Sequence, residues 1–221
     1  DEFYDILDRP DSSGKTSAIN TLEYIEFFKK YLENGNDVIH VMLSSGLSSS
    51  YNNACLAKAE LEETYPNNKL LIIDSKLASS AVALLVDKLA SLRDEGMSME
   101  DVYNWGEENK YFIHAFFTST DLAHFVRGGR LSAPVGTIGG KLNICPLMRI
   151  DKDGKLTIEK IIRTPKKAYS TELKYFEKLR IEDTPIYVNH AKTYEDFNYF
   201  VDKVEKIAPE VIGFDVTRQN I

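Results

Sequence analysis

Cysteine is almost missing from this sequence. Cys55 and Cys145 are its only two, 90 positions apart. That excludes a disulfide framework and any cysteine-based zinc spacing, and two free thiols fit a reducing compartment. Long apolar runs are missing too. No stretch of about 18 apolar residues exists, so no integral membrane segment is expected. Basic residues are in deficit: 27 Lys and Arg against 34 Asp and Glu give a net charge of −7. Duplex DNA binders draw their affinity from neutralised phosphates, so nucleic acid is not an expected partner. The four histidines do not cluster with Cys, Asp or Glu at ligand spacing, so neither a metal nor a cofactor is expected. The opening Asp1-Glu-Phe-Tyr-Asp5 has neither the basic nor the apolar stretch of a signal peptide.

What is present is an ordinary globular balance, 43% apolar and 28% charged, over 221 residues. At roughly 150 residues per domain, that length suits one large domain or two compact ones. Leu22, Ile25, Phe28 and Leu32 recur at helical spacing, so Thr21 to Glu33 reads as an amphipathic helix. Val38 to Leu43 and Leu70 to Asp74 read as buried strands. Helices follow them, from about Ser49 to Tyr65 and from about Ser79 to Arg93. Met99 to Glu108 reads as a helix opened by Ser98-Met-Glu-Asp101, a capping box with Asp in place of Glu. Strand–helix repeats of this kind imply a parallel sheet covered by helices.

The later half reads differently. Tyr111 to Phe117 is expected as a strand and Thr120 to Val126 as a short helix. Leu142 to Ile150 and Lys155 to Arg163 read as a hairpin turning at Asp151-Lys-Asp-Gly154. Pro165 opens a helix to Leu179. Pro185 to Asn189 and Val211 to Val216 read as strands around a helix from Tyr194 to Ile207. The expected fold is therefore α/β with two domains. Residues 1–107 form an N-terminal parallel sheet with flanking helices. Residues 108–221 form a C-terminal α+β domain with a mixed sheet.

Three features could carry chemistry. Ser44-Ser-Gly-Leu-Ser-Ser-Ser50 joins a strand to a helix, at the sheet edge where α/β proteins gather ligands. Helix starts there present free N–H groups, and several hydroxyls with no acid or base beside them suit holding an anion. On spacing alone, helix capping has the better claim on those serines, and also on Thr16-Ser17 before the first helix. The run Ala81-Val-Ala-Leu-Leu-Val86 is apolar nearly all round. Plain core explains it, and so does one wall of an apolar ligand cavity. Arg127-Gly-Gly-Arg130 is a basic glycine turn, equally suited to ending a helix and to reaching an anion.

Taken in order, these motifs resemble the DegV family. The run is Thr16-Ser17, Ser44 to Tyr51, Ile73-Asp-Ser75, Leu122 with Arg127-Gly-Gly-Arg-Leu-Ser132, Leu142 to Pro146, Asp153-Gly154, and Arg163 with Lys166-Lys-Ala168. The resemblance runs from about Asp1 to Gly213. It implies a bacterial, cytoplasmic protein that is not an enzyme. Such a protein holds a long-chain fatty acid in an apolar slot and presents it to a partner fatty-acid kinase subunit for phospholipid synthesis. It assigns the carboxylate contacts to Thr16 and Ser48, with Ser44, Ser45, Arg130 and Arg163 as further ligand or partner contacts. Where the family has glycines, this chain has Ala81 and Ala83, which implies a narrower slot and a shorter or bent acyl chain. The family's first strand has no counterpart at Asp1, and its closing segment none before Ile221, so a fragment is expected. The alternative reading is a small-molecule kinase or acyl-phosphate phosphotransferase on a related scaffold, for which Asp74 is the one well-placed acid.

Overall fold

The computed structural model describes residues 2–7, 14–120, 122–131, 144–182, 184–191, 193–208 and 211–215. Leu142, Asn143, Ser132 and Val216, which the sequence reading assigned to strands or motifs, lie outside them. The chain divides into two compact units. One comprises Ser17–Ala115 and Ile150–Leu156; the other comprises Asp1–Thr16, Phe116–Arg149 and Thr157–Ile221.

The first unit is built on two parallel strands, β1 (Val38–Met42) and β2 (Leu70–Asp74), in register from Val38 opposite Leu70 to Met42 opposite Asp74. Helices α2 (Thr21–Leu32), α3 (Ser50–Thr64), α4 (Ser80–Asp94) and α5 (Met99–Asn109) accompany them. Two clusters form the core. Phe28, fully buried, packs with Tyr24, Leu32, Met42, Ala54, Ala57, Leu61, Leu70 and Ile72. Ile73 packs with Leu77, Ala81, Leu85, Leu89, Leu92 and Val102. Burying each Leu, Ile, Val, Met or Phe side chain among them contributes about 1.5–3 kcal/mol. α4 is not enclosed on all sides as its composition suggests. Ala81, Leu85, Leu89 and Leu92 form a buried stripe at three- and four-residue spacing, while Val86 is exposed.

Local signals explain the starts of α2 and α5. Asn20 caps α2 by accepting from the Glu23 amide at 3.0 Å, and Glu23 returns a bond to the Asn20 amide. Thr16 and Ser17, the expected caps, are exposed and outside that box. Ser98 starts α5 as expected, accepting from the Asp101 amide and donating to its carboxylate at 2.6 Å.

The second unit opens with a short helix, α1 (Glu2–Leu7), that the sequence reading did not contain. It carries a three-stranded sheet in the order β3 (Phe116–Thr118), β4 (Leu147–Ile150), β5 (Leu156–Lys160), with β3 and β4 antiparallel. Helices α6 (Ala123–Arg127), α7 (Pro165–Leu179) and α8 (Tyr194–Glu205) belong to it. So does a parallel pair, β6 (Ile186–His190) with β7 (Val211–Asp215). The mixed character is thus shared between two sheets. The strand expected over Tyr111 to Phe117 is mostly absent. Lys110–Phe112 is a 3-10 turn that prolongs α5. Buried Lys110 pairs with Glu107 at 2.8 Å, which holds the chain in a helical curl past Asn109. Among the described residues, no helix is long and apolar enough to cross a membrane.

Candidate functional site

The carboxyl ends of β1 and β2 lie side by side, because Met42 stands opposite Asp74. Small polar residues follow closely on each strand, and the parallel register brings Ser45 against Asp74 and Lys76. The loop after β2 is tightly wound. Lys76 and Ser79 have φ of 57° and 53°, left-handed values that are uncommon outside glycine.

Asp74 is the hub of this edge. Its Oδ1 accepts from the Ser45 amide at 3.1 Å and the Lys76 amide at 3.3 Å. Its Oδ2 accepts from Ser45 Oγ at 2.5 Å and from Lys76 Nζ at 2.7 Å. A carboxylate offers about four acceptor positions, and these bonds fill them. Burial pushes the Asp74 carboxyl up, but the bonds from Lys76 and Ser45 outweigh it and hold the group below the usual carboxylate range. Lys76 Nζ also donates to Ser45 Oγ at 2.8 Å. The expectation of hydroxyls with no acid or base beside them is therefore corrected at Ser45, which has both. The reason is tertiary: the two residues arrive from the neighbouring strand.

Ser44 faces another way. It is fully buried, and its Oγ donates to the Gly154 carbonyl at 2.8 Å while accepting from the Gly46 amide at 3.1 Å. Gly154 sits at the tip of the β4–β5 turn, in the segment that belongs to this first unit. The approach is close enough to require glycine on both sides. A Cβ on Gly46 would lie 2.6 Å from the Gly154 oxygen, and one on Gly154 would lie 1.9 Å from Ser44 Oγ.

Ser48 is half-buried. Its Oγ donates to Ser50 Oγ at 2.9 Å and accepts from the Ser50 amide at 3.2 Å. The capping that spacing anticipated is not made by Ser49, the residue bordering α3, whose side chain caps nothing; Ser48 instead closes a local turn onto the first amide of the helix. Ser50 in turn bonds to the Tyr24 hydroxyl, which burial pushes above its ordinary range.

The structure brings Ser44, Ser45 and Ser48 together in one loop of the first unit. Thr16, Arg130 and Arg163 belong to the second. Thr16 is exposed. Arg130 Nη1 donates to the Gly128 carbonyl in the turn after α6. Arg163 is exposed just before α7. Ala81, expected beside a ligand slot, packs against Ile73 and Leu77 in its own unit's core, and Ala83 is half-buried. Lys76 was missed by sequence reasoning. The signal was available in its place directly after Asp74-Ser75 at a strand end.

A family model described as "Uncharacterised protein, DegV family" matches residues 1–217. The chain belongs to the DegV family. A DegV domain-containing protein of Clostridium perfringens is 30% identical over 209 residues, covering 94% of this chain and 72% of that protein. Among solved structures, a DegV family protein from Eubacterium eligens loaded with heptadecanoic acid superposes with a TM-score of 0.87 at 19% identity, covering 97% of this DegV chain and 77% of its own. The Fatty Acid Kinase (Fak) B3 protein of Streptococcus pneumoniae, loaded with linoleic acid, has a TM-score of 0.84 at 25% identity, covering 93% and 72% of the two chains. The mixed α/β architecture read from the sequence is thus that of the DegV fold.

Proposed function

We propose that this DegV chain is a cytoplasmic carrier of one long-chain fatty acid, without a catalytic step of its own, that presents the carboxylate to a partner fatty-acid kinase subunit for phospholipid synthesis. The observation that carries this reading is the likeness, over 93% of the chain at 25% identity, to the Fak B3 protein loaded with linoleic acid. The proposed carboxylate contacts are Thr16 and Ser48, with Ser44, Ser45, Arg130 and Arg163 as further ligand or partner contacts. Two features of the serine loop support the assignment to Ser48. Ser44 and Ser45 hydroxyls are engaged by Gly154 and Asp74, whereas among the described residues Ser48 bonds only within its own turn. An arriving carboxylate needs a donor, and turning the Ser48 proton away from Ser50 Oγ supplies one. The non-enzymatic reading rests on Asp74, whose acceptor positions are filled from its own loops.

The test is mass spectrometry of lipid extracted from the purified protein, followed by fatty-acid titration of Ser48→Ala. A near-stoichiometric fatty acid is expected. Ser48→Ala should weaken binding by about 1–3 kcal/mol, the usual effect of removing a buried hydrogen-bond partner. An empty protein that fatty acid does not stabilise against heat overturns the lipid reading. Unchanged affinity in Ser48→Ala overturns the assignment to that residue alone.

A further inference from the structure

The second unit carries a cavity of about 420 Å³ at the start of α7, lined among others by Lys160, Ile162, Arg163, Thr164, Lys167 and Thr171. Three of these are cations, and none has a carboxylate partner among the described residues. Other lysines of the chain, such as Lys29, Lys58, Lys69 and Lys206, are paired with acids. The segment Lys160-Ile-Ile-Arg-Thr-Pro-Lys-Lys167 holds four cations and no acid. Gathering like charges around one hollow is unfavourable unless an anion compensates them.

We infer that this cavity binds a phosphate-bearing ligand. The charge count selects the class: three cations lining one cavity match a dianion better than a single carboxylate. Thr164 and Lys167 place the first turn of α7, a helix of 15 residues, at the cavity edge. Thr164 is its N-cap, yet its side chain caps nothing, so that hydroxyl is available as a donor. The volume falls within the range of small-molecule sites and exceeds what a bare phosphate fills, which leaves room for the group that carries it. Ile162, buried beneath the cavity, bonds through its carbonyl to the Cys145 amide at 2.8 Å, so the floor is fixed to the rest of the unit. The inference does not depend on the fatty-acid reading.

The experiment is calorimetric titration of the full chain with inorganic phosphate, at an ionic strength held constant with chloride. Arg163→Gln and Lys167→Gln are compared with Lys206→Gln, which removes a charge paired with Asp202 in the same unit. Saturable binding is expected, weakened about tenfold or more in the first two variants, as loss of a charge-assisted hydrogen bond implies, and unchanged in the third. Each variant's melting curve confirms that it is folded. A parallel arm replaces phosphate with phosphatidic-acid vesicles. Binding to free phosphate assigns a soluble ligand; binding to the vesicles alone assigns a lipid headgroup. Heat that chloride reproduces, equal losses in all three variants, or no binding in either arm overturns the inference.

Discussion

Replacing Gly154 with alanine puts a methyl group where the serine loop already stands. The added carbon would lie 1.9 Å from Ser44 Oγ and 3.0 Å from Lys76 Cδ, on a backbone with φ of 76°. The left-handed backbone by itself disfavours alanine by about 1–2 kcal/mol. Overpacking adds about 1–3 kcal/mol, and displacing the bond from Ser44 to the Gly154 carbonyl adds about 0.5–1.5. Gly35 provides the control. Its φ is 75°, and nothing lies within 4 Å of the position a Cβ would take, so Gly35→Ala carries the backbone part alone. Trp105, the chain's one tryptophan, lies in α5 of the same unit and reports its unfolding in urea. Gly154→Ala should therefore lose about 2–4 kcal/mol more than Gly35→Ala. Adding Ser44→Ala to Gly154→Ala should restore part of that difference, because the nearest obstructing atom is gone. Equal losses at the two glycines would show that the hairpin tip is not seated on Ser44.

Asp74→Asn removes the acceptor charge that gathers Ser45 and Lys76, and should destabilise the first unit by about 2–3 kcal/mol in urea titrations. The Asp74 carboxyl sits below its usual range, so its contribution is present above about pH 4 and lost as the pH falls through its folded value; Asp74→Asn should flatten that acid limb. Half-buried His40 packs against the rings of Tyr24, Phe27 and Phe28, and burial pushes it down. Its contribution is whole above about pH 6.5 and falls away below, and the difference between wild type and His40→Phe should show that slope by Trp105 fluorescence. Glu172 in α7 is pushed up to about 7 by burial, the opposite sense, so its ionisation lowers stability as the pH rises from about 4.5 to 7. Glu172→Gln should therefore gain on wild type across that interval, measured by circular dichroism, and a constant difference would refute the assignment.

Strong periodicity and clear punctuation made much of the fold legible. The strand Leu70–Asp74 and the helix Pro165–Leu179 coincide with the sequence reading, the first bounded by Asn67-Asn68 and the second opened by proline. α1 was not legible because six residues are too few to display a helical period. Tyr111 to Phe117 misled because an aromatic run satisfies strand composition, while the ion pair of Lys110 keeps its beginning curled. At the site, the position of the serine loop was legible, but the occupation of its hydroxyls was not. Asp74 and Lys76 reach Ser45 through the register of two parallel strands, and Gly154 reaches Ser44 from 110 residues away. Asp-Lys-Asp-Gly reads as a turn wherever its tip is seated.

That distant seat also has a consequence in time. A ribosome delivers Ser44 long before Gly154, and the first unit lacks its last piece until Leu156, 41 residues beyond Ala115, has been added. At about 5–20 residues per second that interval is about 2–8 s, far longer than a loop needs to close. During it the Ser44 hydroxyl has no Gly154 carbonyl to donate to. A nascent chain halted at Ala115 and one halted well past Leu156 should differ in how firmly the serine loop resists protease, although both hold every residue of the loop itself.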